Sequence, residues 1–183
     1  MPVPHFKTSV VTAIALLLAF TPLANASDLA TCLKKVADED LNQKISFQGQ
    51  MRDIIISKQA DLNTLATLQH DFQVALGKNR SNRLKYLVDH NIDRISTNEL
   101  SQFRNFDWTE EDQEGFLKAD TYNQEQLSQI FELKRKNQNH PDWPKMREFM
   151  EKHLRGSKEF QDLMKTFAGT QANTESQLKS CSN

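Results

Sequence analysis

Apolar side chains recur at steps of three and four residues from Leu29 almost to the C-terminus, the spacing of a single buried helical face. Asp28 is placed to cap a first helix carrying Leu29, Cys32, Leu33, Val36, Leu41 and Ile45, with a bend expected where Ser46 and Gly49 interrupt the pattern. Met51, Ile54 and Ile55, then Leu62, Leu65, Leu68, Phe72 and Leu76, continue the stripe. Leu84, Leu87 and Val88 follow, so one long helix from about 50 to 90 is allowed, with Gly77 as its weak point. Ile54-Ile55-Ile56 alone would suit a strand, but its neighbours keep helical spacing.

Ser96-Thr97-Asn98-Glu99 has the form of a capping box opening a short helix with Leu100 and Phe103. Thr109-Glu110-Glu111-Asp112 marks another start, with acids at the positive end of the helix dipole. The helix it opens carries Phe116, Ala119, Leu127, Ile130, Phe131 and Leu133, and ends in Lys134-Arg135-Lys136. Residues 137–143 read as a loop, and Pro144 suits the first turn of a helix with Met146, Phe149, Met150 and Leu154. Gly156 stops it and Ser157 caps a last helix bearing Phe160, Leu163, Met164, Phe167, Leu178 and Cys181, with a polar, frayed stretch at 169–176. The fold class expected is all-α, a bundle of four or five helices with long antiparallel members.

The N-terminus changes where this bundle is expected to work. His5 and Lys7 precede a short apolar run at 10–20, Pro22 breaks it, and Ala24-Asn25-Ala26 offers small residues around a cleavage point before Ser27. This is the layout of a secretory signal peptide over 1–26, leaving 27–183 as a single helical domain. The run is shorter than the about 20 residues needed to cross a bilayer. Leu29-Ala30-Thr31-Cys32 falls short of a lipidation box, because Thr31 is not small enough and Asp28 separates the apolar run from Cys32. A periplasmic or secreted location follows as the expectation.

Export gives the two cysteines a meaning. In an oxidising compartment Cys32 and Cys181 form the one possible intramolecular disulfide. It would tie the first helix to the end of the last, which must then run antiparallel. So long a loop is worth roughly 5 kcal/mol at most on chain-entropy grounds.

Charge and motifs exclude more than they assign. The 23 Lys plus Arg nearly balance 24 Asp plus Glu, so bulk attraction to nucleic acid or anionic lipid is not expected. His70, His90, His140 and His153 form no ligand-spaced pair, and Cys-x-x-Cys-His, Gly-x-Ser-x-Gly and phosphate-cradling glycine loops are absent. No catalytic residue, metal or cofactor is assigned. Glu110, Glu111, Asp112 and Glu114 are explained by a helix start, and Met146 and Met150 by core filling. Cys32 with Ala37-Asp38 and Leu41-Asn42 resembles a short stretch of small exported helical proteins of the lysozyme-inhibitor type. Those carry further local cysteines that this chain lacks, so no family assignment follows.

Two features remain as candidate partner contacts. Lys78, Arg80, Arg83 and Lys85 form a basic stretch beside Tyr86, suited to an acidic partner or to a solvated face. Phe103, Phe106 and Trp108 cluster in a connecting segment, as binding anchors or as a plug for the bundle end. The expected function is therefore a non-enzymatic exported protein binding a macromolecule, in an inhibitory, immunity or chaperone-like role. The alternatives are an envelope hydrolase without a linear motif, betrayed by a polar cleft with facing carboxylates, and a small-ligand or haem carrier using His153 and a methionine.

Overall fold

A computed structural model of the chain describes residues 23–182, with side chains from residue 27; the apolar run of the expected leader lies outside the described residues. Helix α1 (Leu23–Lys58) turns through residues 59–62 into the antiparallel α2 (Asn63–His90). Three shorter helices follow: α3 (Leu100–Arg104), α4 (Glu110–Ala119) and α5 (Thr121–Gln138). Then come α6 (Trp143–Phe149), a π-helical turn (Met150–Leu154) and α7 (Lys158–Ser180). No strand occurs among the described residues. α7 packs along one flank of α1, and α5 along α2.

Seven α-helices are present among the described residues where four or five are expected, and each discrepancy has a physical cause. α1 continues unbroken through Ser46 and Gly49, where Phe47 stacks on Phe167 of α7 at 4.3 Å and Ile55 is buried further along. The break comes instead at Gln59, whose non-helical backbone lets Leu62 and Leu65 fold back into full burial beside Ile55. No glycine or proline marks it. Asp120 divides the helix expected after Thr109 by capping α5, its carboxylate accepting from the Tyr122 amide at 2.9 Å. The Ser96 capping box does not form: α3 starts at Leu100, and the Ser96 hydroxyl donates to the Gln102 side chain. Asp28 lies within α1 and is not its cap.

The Thr109 capping box is present, with the Thr109 side chain accepting from the Asp112 amide and the Asp112 carboxylate accepting from the Thr109 amide. Ser157 caps α7 through the Phe160 amide, and Pro144 occupies the first turn of α6. The 169–176 stretch is not frayed. Thr174 within it is 0% exposed, and its hydroxyl meets Gln43 of α1 at 2.9 Å and the Thr170 carbonyl at 3.1 Å.

Cys32 and Cys181 are disulfide-bonded, with their Cα atoms 5.7 Å apart, so α1 and α7 run antiparallel as expected. Beside the bridge lies one apolar core, built from Leu33, Val36, Leu87, Val88, Phe103 and Leu178. A second core, with Leu62, Leu65, Met146, Phe149 and Leu154, fills the opposite end of the α1–α2 hairpin. Between the two the interior is polar. Asp40 is 7% exposed and receives Lys44 at 2.7 Å together with Arg104, which also meets Gln171. Asn79 donates to Gln126 of α5 at 3.2 Å. Polar groups can occupy an interior when their hydrogen bonds are met there. Such layers also set helix register, since sliding either helix would strand a buried charge.

α4 reaches α2 through a close contact that only glycine permits. A Cβ at Gly115 would lie 2.1 Å from the Tyr86 hydroxyl oxygen. The Tyr86 ring cannot withdraw easily, because it stacks on His90 at 4.0 Å and meets Trp108 and Phe116 edge-on. Gly115→Ala is therefore expected to destabilise by about 1–2 kcal/mol, overpacking exceeding the gain in helix propensity. Adding Tyr86→Phe should recover part of that loss in thermal unfolding. No recovery would place the cost elsewhere.

Candidate functional site

A groove of about 460 Å³ opens between α1 and α2 in this central region. Leu41, Ile45 and Phe47 line it from α1, Val74, Leu76 and Gly77 from α2, and Phe167 from α7. Leu76 is 37% exposed there, a large apolar side chain facing solvent. Gly77 lets the two helices approach, its Cβ position lying 3.2 Å from the Leu41 side chain. On α2 the apolar Val74 and Leu76 precede Arg80 and Arg83, and on α1 Leu41 packs beside Gly77 while Phe47 meets Phe167.

Cations gather at the groove too. Lys44 borders the groove from α1, and Arg80 and Arg83 border it from α2, one turn apart. Arg104 joins Lys44 and Arg80 around a small adjoining cavity, with Asp40 as the only carboxylate among the described residues lining either space. Burial, and the repulsion of Arg104 and Arg80, push the Lys44 ammonium below its ordinary pKa despite the Asp40 partner. Burial and then Arg80 do the same to the Arg83 guanidinium. Asp40 is shifted downward as well: burial opposes its charge, but hydrogen bonds from Arg104 and Lys44 outweigh it. Among the described residues no ion pair joins Arg80 or Arg83 to a carboxylate, and the buried Nε of Arg83 has no hydrogen-bond partner. The Ser81 hydroxyl, on the adjoining cavity and 6% exposed, has none either. Arg80 is exposed and Arg83 half-buried, two positive charges at the groove with little negative charge beside them, an arrangement that favours an incoming anion.

The tertiary structure joins the two candidate features at one residue. The Arg83 guanidinium lies 4.1 Å from the Trp108 ring centroid and 5.9 Å from that of Phe106, within range of a cation–π contact. Trp108 is held in turn by Phe116, Phe106 and a hydrogen bond from its indole N–H to Gln113 at 2.9 Å. Phe106 and Trp108 are half-buried against the core and flank the cationic end of the groove. Phe103 is 1% exposed and belongs to the core beneath them. Lys85 is paired with Asp38 of α1, while Lys78 is exposed; neither borders the groove. Lys44, Arg104, Ser81 and the apolar residues of α1 and α7 escape a linear reading. The one local signal is Lys44, a charge in an apolar stripe four residues after Asp40.

A second depression, of about 400 Å³ between α1 and α7, bears on a hydrolytic reading because Asp53, Glu159 and Asp162 line it. Each of these carboxylates is met by a cation: Arg52 at 2.7 Å, Lys58 at 2.9 Å and Lys158 respectively. The Lys58 hydrogen bond holds Glu159 below its ordinary pKa. A general acid needs the opposite shift. His153 is exposed on the π-helical turn against Phe149, whereas Met146 is buried in the core. Among the described residues, no three His, Cys, Asp or Glu side chains are grouped to hold a metal ion, and no helix is long and apolar enough to cross a membrane. Comparison with protein-family models, with curated proteins and with solved structures finds no match to this chain.

Proposed function

We propose that this chain is an exported, non-enzymatic binding protein that recognises an acidic protein partner at the α1–α2 groove, in the periplasm or outside the cell. The observation that carries the reading is the pair Arg80 and Arg83 at an open, largely apolar groove, with no carboxylate paired to either among the described residues. Arginines left unpaired beside apolar surface are suited to charge-assisted contact with a carboxylate. Phe106 and Trp108 hold the Arg83 side chain and extend the contact surface. The Cys32–Cys181 bridge supports an oxidising location, where such bonds persist.

A photo-crosslinking amino acid at position 76, in the groove, tests this in envelope extract. A second at 118, on exposed α4, serves as the control. Position 76 should give a discrete adduct that fades with added salt and is lost in Arg80→Glu, a variant that breaks no described contact. An adduct that survives Arg80→Glu, or forms equally from 118, defeats the reading. Intact mass of the natively produced protein should show a start at Ser27 and loss of two hydrogens.

A further inference from the structure

The groove's surroundings narrow the form its occupant takes. All the residues that line it belong to helices, so it has no strand edge whose free amides and carbonyls could pair with an extended peptide. A helix meets its own backbone hydrogen bonds and brings only side chains to such a surface. The lining of α2 from Gln73 to Arg83 spans roughly 15 Å, the rise of about three helical turns. Polarity is graded along that length, with Val74, Leu76 and Phe167 toward one end and Arg80 and Arg83 toward the other.

Charge chooses between sources of a guest helix. Residues 1–26 of this chain contain no Asp or Glu, so they cannot answer the two arginines. In a second copy the large exposed apolar side chains outside the groove, among the described residues, are Tyr122 and Phe131 on α5 and Met164 on α7. α5 ends in Lys134-Arg135-Lys136, which would be repelled, and the acids neighbouring Met164, Glu159 and Asp162, are already paired with Lys58 and Lys158. We propose that the groove receives a foreign amphipathic helix of about three turns, apolar on one face and carrying Asp or Glu at the end that meets Arg80 and Arg83. This rests on the groove being the binding surface. The guest would lie along α1 and α2 and close over Leu76. Its carboxylates would meet the exposed Arg80 side chain, with the half-buried Arg83 guanidinium beside it.

Selection from a displayed library of helical 15-residue peptides, randomised on one face, against the oxidised protein provides the test. Selected sequences should combine apolar residues at i, i+3 or i+4 and i+7 with acids clustered at one end. A synthetic representative should bind with 1:1 stoichiometry, change Trp108 fluorescence, and lose roughly 30-fold or more in affinity against Arg80→Glu. Leu76→Glu, at an exposed position, should weaken it similarly without affecting the fold. A central proline in the peptide should abolish binding. The proposal falls if nothing is selected, if selection shows no acidic bias, or if the proline peptide binds equally. It also falls if dodecanoate displaces the peptide and binds with matching Arg80 dependence, because the site would then serve a free anionic amphiphile. Loss of the position-76 adduct in Arg80→Glu alongside a failed selection would retain the groove and reject the helix. An adduct that persists rejects both.

Discussion

Cys32→Ser is expected to lower the melting temperature by roughly 10–20 °C in oxidising buffer, the largest effect of any single substitution in this chain. The bridge joins residues 149 apart in sequence, and closing so long a loop removes roughly 5 kcal/mol of unfolded-chain freedom as an upper figure. The folded state has little to lose on reduction. α7 remains against α1 through the Phe47–Phe167 stack, the Gln43–Thr174 hydrogen bond and the Lys58–Glu159 ion pair. Helical content should therefore change little at low temperature. Exchange of backbone amides should rise near 174–181, where Leu178 anchors α7 in the core beside the bridge. In reducing buffer the variant and the parent should melt alike. A difference of only one or two degrees in oxidising buffer would mean the bond contributes nothing to the stability.

Acid is the second strong perturbation, and Asp112 is its focus. The side chain is 5% exposed and holds three elements together. It accepts from the Thr109 amide and hydroxyl at 2.9 and 2.8 Å, and from Arg94 at 2.9 Å. Arg94 itself reaches on to the Asp107 carbonyl, so the segment bearing Phe106 and Trp108 is tied to the start of α4. Burial opposes the charge on Asp112, but the Thr109 and Arg94 hydrogen bonds exceed that penalty and its pKa is lowered. Asp40 is lowered in the same way.

The sign of the pH dependence follows. A carboxylate bound more tightly as the anion in the folded state contributes fully above its unfolded pKa of about 3.9, and the contribution disappears as pH falls through the lower folded value. Unfolding free energy should thus be flat in this respect near neutrality and fall below about pH 4. Asp112→Asn should cost roughly 3 kcal/mol at neutral pH and make the acid limb shallower, since breaking one partner of a buried pair leaves the other uncompensated. Thr109→Ala, which removes only a cap, should cost about 1 kcal/mol. Equal losses from the two variants would mean that the Arg94 pair adds nothing beyond the capping box. Denaturant unfolding across pH 3–7 measures both.

The positioning of the candidate site divides along the same line between local and distant causes. Arg80, Arg83, Phe106 and Trp108 stand out in the chain because arginines beside a tyrosine, and aromatics in a connecting segment, are locally conspicuous. Arg83 lies over Trp108, 25 positions away in sequence, Lys85 is taken up by Asp38, 47 away, and Phe103 is interior in a core with Leu33 and Leu178, 70 and 75 away. No window of a few turns contains them.

Periodicity and capping chemistry alone determined that the chain is helical, where the Thr109 and Ser157 helices begin, and that Cys32 can pair only with Cys181. Each of these depends on neighbours within a turn or two, or on there being one possible partner. The Asp120 break is local too, a cap on the Tyr122 amide. Tertiary packing decided the break at Gln59, the unbroken passage of α1 through Ser46 and Gly49, the order of the 169–176 segment and the groove between α1 and α2. In each of those, burial of apolar or hydrogen-bonded side chains across helices exceeds the fraction of a kcal/mol to about 1 kcal/mol per residue by which local propensity prefers another conformation.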